Sequence, residues 1–330
     1  MNEMAGESST MGISVRHDER VLILGATGFV GKRLLPELLG KGVKVRLFVR
    51  EPLKLRDVSP ESDIEVVKGD LLTGEGLEKA LKGVRVAYYL VHSMGGRSIL
   101  QNREYAEKDR KAADNFVMSA DAGGLGRIIY LGALGEQGDE LSEHLKSRAE
   151  IADILSSGRT AATILRAAII IGAGGASFEM LRYLVERLPV MVCPKWIDTR
   201  IQPIALKDVL QYLVGCLFNP DTAGMSYDIG GPEILTYCEM MQQYAEARGL
   251  PRRLILRVPV LTPLLSSYWV DLVTPVPSGI AHPLIEGLKN EVVCRENRIE
   301  QIIPIQKTPF KEGIRIALSE EKKGPGVIGS

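Results

Sequence analysis

Val21-Leu22-Ile23-Leu24-Gly25-Ala26-Thr27-Gly28-Phe29-Val30-Gly31 decides the fold. The four leading apolar residues read as a buried strand, the glycines as a tight turn, and the chain from about Phe29 onward as a helix. A strand, a glycine turn and a helix N-terminus in that order make a site for a pyrophosphate. Gly25 permits the turn, Gly28 lets the backbone come close to the phosphates, and Gly31 lets helix and strand approach each other. The helix's unpaired amides and the positive end of its dipole then favour the negative charge. The plainer reading, a glycine turn closing an ordinary βα unit, is outweighed by the strand–turn–helix context. Gly25, Thr27, Gly28, Phe29, Val30 and Gly31 are therefore expected to bind a dinucleotide.

The end of the second strand chooses between dinucleotides. Val43 to Val49 reads as a buried strand, and an acidic residue at such a strand's end accepts from the ribose hydroxyls of NAD. Here Val49 holds that position and Arg50 follows it. A forked guanidinium suits a 2′-phosphate that a carboxylate would repel. Glu51 lies at the usual interval for a ribose-binding acid, but is placed past the strand end and facing solvent. NADP is the expected cofactor, ahead of NAD.

The 330 residues suffice for a large core, and Lys plus Arg equals Asp plus Glu at 41 each. No net field draws such a chain to nucleic acid or to an anionic membrane. The four cysteines, Cys193, Cys216, Cys238 and Cys294, have no metal-ligand spacing and suit a reducing, cytoplasmic setting. No metal is expected. Residues 1–19 read as a flexible polar leader without a signal core. The apolar segment from Val258 to Pro283 is broken by five prolines and Asp271, so no integral membrane segment is expected. That segment remains suited to a membrane surface or a hydrophobic substrate.

Further along, short apolar runs alternate with amphipathic stretches, the pattern of repeated βαβ units on a parallel sheet. Strands are expected at Val21–Leu24, Val43–Val49, Ile64–Val67, Val86–Val91, Ile128–Leu131 and Thr163–Leu165. Helices are expected near Gly28–Leu39, Gly76–Leu81, Leu100–Ala122 and Leu141–Ser156. Residues 20–172 thus form a dinucleotide-binding unit and 173–330 mainly a cap, with about 201–218 returning to the first unit. Asp208 and Thr236 are expected to cap helices. The fold class is α/β, a Rossmann-type doubly wound parallel sheet with a smaller, discontinuous C-terminal cap.

With those residues in hand, the chain resembles an atypical, extended-type short-chain dehydrogenase/reductase (SDR), of the sugar-nucleotide-epimerase-like and NmrA-like kind. The likeness rests on the GxxGxxG spacing, Gly69-Asp70-Leu71, Tyr89-Leu90-Val91-His92-Ser93, Gln202–Asp208 and Gly230-Gly231-Pro232. It implies that Asp70 and Leu71 contact the adenine, and that Leu90, Val91 and His92 border the second ribose. A turn-capping role is the alternative for Asp70. The family's catalytic Ser, Tyr and Lys are all replaced: Ala133, His144 and Arg148 fall at those positions. Arg148 can anchor a ribose but cannot relay a proton, whereas His144 titrates near working pH. A nearby guanidinium would hold His144 neutral. The resemblance also places Phe178, Met180 and Tyr183 beside a substrate pocket, and the aromatic step Tyr268-Trp269 joins them as pocket candidates. Core packing is the competing reading for Phe178 and Met180.

Three functions follow. One is an NADP-dependent oxidoreductase acting on an apolar or aromatic small molecule with His144 as its acid/base. Another is a nucleotide-sensing regulator with a protein partner, and the third is a structural or assembly protein with a bound nucleotide.

Overall fold

A computed structural model describes residues 19–52, 63–92, 99–135, 142–258, 275–276, 278–287 and 289–322. The first half alternates strand and helix as its apolar runs require. The order is β1 (Arg20–Leu24), α1 (Gly31–Leu39), β2 (Lys44–Val49), β3 (Ile64–Lys68), α2 (Leu77–Leu81), β4 (Val84–Tyr89) and α3 (Ile99–Ala122). β5 (Arg127–Ala133), α4 (Glu143–Ser157), β6 (Ala161–Ala167) and β7 (Ile170–Ile171) follow. The second half holds α5 (Ala176–Arg187), β8 (Val190–Pro194), β9 (Arg200–Ile201), β10 (Ile204–Ala205) and α6 (Leu206–Phe218). It continues through β11 (Ser226–Ile229), β12 (Leu235–Thr236), α7 (Tyr237–Ala247) and β13 (Leu254–Val258), then α8 (Ser278–Gly287), α9 (Arg298–Ile302) and α10 (Phe310–Lys322).

Seven strands pair in parallel in the order β11-β6-β5-β4-β1-β2-β3. This is a doubly wound sheet, and its order reverses between β1 and β4. The crevice beyond the carboxyl ends of those two strands is where such sheets take ligands. Alternation along each strand feeds two cores. Val21 and Ile23 join Leu34, Leu35, Leu38 and the apolar face of α6 on one side. Leu22 and Leu24 join Leu77, Phe116 and Leu155 on the other. Each fully buried Leu or Ile contributes about 1.5–3 kcal/mol, so both faces of every central strand are committed.

Two of the sheet's arginines, Arg46 and Arg127, are buried. Arg46, mid-β2, donates to the carbonyls of Ala80 and Lys82 (2.7 Å each) at the end of α2 and pairs with Glu65 on β3 (2.9 Å). Arg127 at the start of β5 is fully buried. It donates to Thr163 Oγ1, the Cys216 carbonyl (2.7 Å), the Asn219 carbonyl (3.1 Å) and Thr222 Oγ1.

Besides α6, β11 forms the edge strand beside β6, and Ile299 of α9 packs into the same core as α6. The cap has a core of its own, in which Phe178, Leu181 and Val185 of α5 meet Met240, Met241 and Tyr244 of α7 and Ile314 of α10. Thr236 caps α7 as expected, in a reciprocal box with Glu239. Asp208 does not cap α6. The N-cap position is held by Ala205, and the buried Asp208 carboxylate instead accepts from the Thr308 amide and hydroxyl (2.7 Å each). A carboxylate with no exposure needs such donors, and here they tie α6 to the segment leading into α10.

Candidate functional site

The glycine turn lies at the carboxyl end of β1, at the reversal of strand order. Gly25 has φ +88°, and a Cβ there would stand 2.6 Å from the Leu90 carbonyl oxygen. The turn closes with the Gly28 amide donating to the Gly25 carbonyl (2.9 Å), so α1 starts at Gly31 rather than Gly28. A Cβ on Gly31 would meet that same carbonyl at 2.3 Å, which is the close strand–helix approach the motif demands. At Gly28 a Cβ would meet only the Gly25 carbonyl within 4 Å, at 3.1 Å, leaving its other side open. No side chain caps α1, and its first turn carries no acid. An uncapped helix end over an open glycine cradle fits a pyrophosphate. Arg33 is drawn away from that end: it stacks over the Phe29 ring (5.0 Å) and donates to the Phe29 and Ala173 carbonyls.

Around the turn, the other expected contacts fall at the sheet's carboxyl edge. β2 ends at Val49, and Arg50 and Glu51 are exposed beyond it. Asp70 follows β3 and spends Oδ1 on the Leu72 amide (2.8 Å), the turn-capping role; its second oxygen takes no part in that bond. Leu71 is buried, with its carbonyl held by Asn115 (2.8 Å). β4 stops at Tyr89 rather than Val91. The Leu90 amide still reaches the Leu24 carbonyl (3.0 Å), but β1 turns away at Gly25 and the ladder ends.

One residue along, the imidazole of His92 places Nδ1 3.0 Å from Oδ2 of Asp109, with the two side chains only 11% and 7% exposed. Burial, reinforced by the Arg148 guanidinium, pushes the His92 pKa down to about 4 against the lift from Asp109. The Arg148 guanidinium thus acts on His92, while its effect on His144 lies outside the described residues. Burial likewise pushes the neighbouring Tyr89 hydroxyl up, against a lowering pull from Arg148. Nε of Arg148 is buried with no hydrogen-bond partner among the described residues.

Asp109 was not among the sequence candidates. It had a signal: on α3 it lies four residues after Tyr105 and three and four before Ala112 and Ala113, so a charge sits inside the apolar stripe. Ala133 ends β5, where the family's serine stands. His144 falls on the first turn of α4, but its side chain lies outside the described residues. Ser142 is the N-cap of α4, accepting from the Leu145 amide. Phe178 and Met180 are buried in the cap core, Phe178 with its ring 6.1 Å from that of Tyr244, so packing claims both and neither offers surface to a ligand. Tyr183 is half-buried between Arg182 and Arg187. Tyr268 and Trp269 lie outside the described residues. Arg166 pairs with Asp228 across the β6–β11 pair (2.7 Å), while its Nε is buried with no hydrogen-bond partner among the described residues.

Residues 25–170 match the NAD(P)H-binding family. This stretch, under half of the chain, is similar to an NAD(P)H-binding domain. The chain is 25% identical to the mitochondrial NADH dehydrogenase [ubiquinone] 1 alpha subcomplex subunit 9 of Arabidopsis thaliana, over 89% of this chain and 74% of that one. It is 29% identical to a ceramide reductase of Caulobacter vibrioides, over 71% and 72% of the two chains. In fold it matches a nucleoside-diphosphate-sugar epimerase of Staphylococcus aureus with a TM-score of 0.70 at 18% identity, covering 90% of this chain and 99% of that one. The matched stretch contains the glycine cradle, and a dinucleotide fits it. Among the described residues no helix is long and apolar enough to cross a membrane.

Proposed function

We propose that this SDR-type protein is an NADP(H)-dependent oxidoreductase acting on an apolar or aromatic carbonyl compound. The observation that carries the reading is the buried His92–Asp109 pair, within the field of Arg148, one residue beyond the loop that backs the glycine turn. Ionisable groups held in one buried cluster beside a nucleotide cradle suit proton handling more than packing. The likeness to a ceramide reductase supports both reduction and an apolar substrate. Bound NADPH supplies the hydride. The chain's own part is to anchor the nicotinamide ribose through Arg148 and to deliver a proton from His144 to the oxygen that receives it. Asp109 fixes the orientation and tautomer of the His92 ring.

The test is a screen of apolar aldehydes and ketones with NADPH, followed by His144→Gln. Expected is turnover that falls ~10²-fold or more in the variant, with nucleotide affinity unchanged. Full activity in His144→Gln would remove His144 as donor while leaving the reductase reading intact. A second reading, a regulatory or assembly protein that keeps a bound nucleotide, is favoured by Ala133 and Arg148 in place of the family's serine and lysine, and by the likeness to a respiratory-complex subunit. Tight NADPH binding without turnover across the screen selects it.

A further inference from the structure

β8 and β13 form a two-stranded parallel ribbon on the cap, with Leu254 opposite Val190 and Leu256 opposite Val192. Alternation gives the ribbon two faces. Met191 and Cys193 are buried in the cap core, and Ile255 packs against it. On the other face Val190, Val192, Leu254 and Leu256 are 46–56% exposed. Nine large apolar side chains are exposed among the described residues, and these are four of them. The rest, such as Val66 on β3 and Met118 on α3, lie on other parts of the chain. Paired register puts the four side by side, which makes a patch.

Charge is arranged to match. Because the strands are parallel, both begin at the same end of the ribbon. There the chain carries an exposed arginine just ahead of each strand: Arg187 three residues before Val190, and Arg252 two before Leu254. Arg257, next to Leu256, lies on the opposite face and pairs with Asp198 (2.8 Å). The apolar face itself therefore has no charge within the strands, with cations gathered at one end. In sequence β13 runs straight into residues 259–274, which hold a single charge, Asp271.

We propose that the outer face of this ribbon docks on an anionic lipid bilayer, with the four apolar side chains at the headgroup boundary and Arg187 and Arg252 against lipid phosphates. A second copy of the chain fits less well. Four half-exposed side chains offer roughly 300 Å², against the ~800 Å² per partner of a standard protein interface. A bilayer surface needs no matching contour and rewards shallow apolar insertion combined with local cations. The chain's zero net charge supplies no long-range pull, so the attraction is local to that arginine end.

The test is co-sedimentation of the full chain with vesicles of phosphatidylcholine alone or mixed with phosphatidylglycerol. Expected is binding to the mixed vesicles that weakens with salt. The double variant Val192→Asp/Leu256→Asp should lose at least ~10-fold of it, Arg252→Glu should lose the phosphatidylglycerol dependence, and Met118→Asp should change nothing. If the double variant does not fold, Val190→Thr with Leu254→Gln reads the same face with a milder change. Three results would overturn the proposal: wild type that stays in the supernatant, ribbon variants that sediment like wild type, or a dimer in solution that the ribbon variants dissociate.

Discussion

Nδ1 of His92 stands 3.0 Å from Oδ2 of Asp109, and that contact ties the loop after β4 to the middle of α3. A carboxylate only accepts, so the neutral imidazole carries its proton on Nδ1 and keeps a lone pair on Nε2. Burial and the Arg148 guanidinium hold this ring's pKa at about 4, below the 6.5 it regains on unfolding. The unfolded chain therefore takes up a proton first. Stability is full above about pH 6.5 and falls as the pH drops towards 4, by on the order of 3 kcal/mol for this group. Urea unfolding at pH 7 and pH 4.5 should show the loss, and His92→Gln should flatten it. An unchanged slope in the variant would assign the acid sensitivity to other groups.

The glycine turn separates folding from binding. At Gly28 a side chain meets one carbonyl at 3.1 Å and otherwise open space, the space the pyrophosphate fills. Gly28→Val should therefore fold, with thermal unfolding close to wild type, and lose nucleotide binding by calorimetry. At Gly31 a Cβ stands 2.3 Å from the Gly25 backbone, so Gly31→Val should lower stability itself. Unchanged affinity in a folded Gly28→Val protein would displace the nucleotide from this turn.

The strands were legible because parallel strands buried on both faces are continuous apolar runs, and all six expected strands occur within two or three residues of their predicted bounds. The Thr236 cap was legible because its partner Glu239 lies three residues on. What escaped was long-range pairing. Asp109 meets His92 across 17 residues, Asp208 meets Thr308 across 100, and Arg127 meets Thr222 across 95. No local pattern encodes such partners. Phe178 and Met180 show the converse, since an apolar residue near a cleft and one in a core have the same spacing.

Arg127 makes the sharpest stability prediction. Its guanidinium is fully buried among carbonyls and hydroxyls, and desolvation lowers its pKa. Arg127→Met would leave the Cys216 and Asn219 carbonyls and two threonine hydroxyls short of a donor. Each orphaned group costs about 1–3 kcal/mol, so a loss of at least ~3 kcal/mol in denaturant unfolding is expected. A variant within 1 kcal/mol of wild type, on the order of one ordinary hydrogen bond, would mean that water replaces the guanidinium there.

The proposed preference for NADP(H) rests on Arg50. It is exposed directly after β2, at the strand end where NAD-binding folds place an acid, and Val49 offers none. Because Arg50 is exposed, Arg50→Ala should leave folding unchanged. It should weaken NADPH binding by ~1.5–3 kcal/mol, the range for a charge-assisted contact, and leave NADH almost untouched. Glu51 supplies the control: Glu51→Gln should leave both affinities where they are if that carboxylate does not reach the ribose. A guanidinium reading the 2′-phosphate also makes the NADPH affinity fall with salt more steeply than the NADH affinity, and Arg50→Ala should remove that difference. Equal losses for both nucleotides in Arg50→Ala would take this residue away from the 2′-phosphate, and a loss of NADH affinity in Glu51→Gln would return the site to NAD.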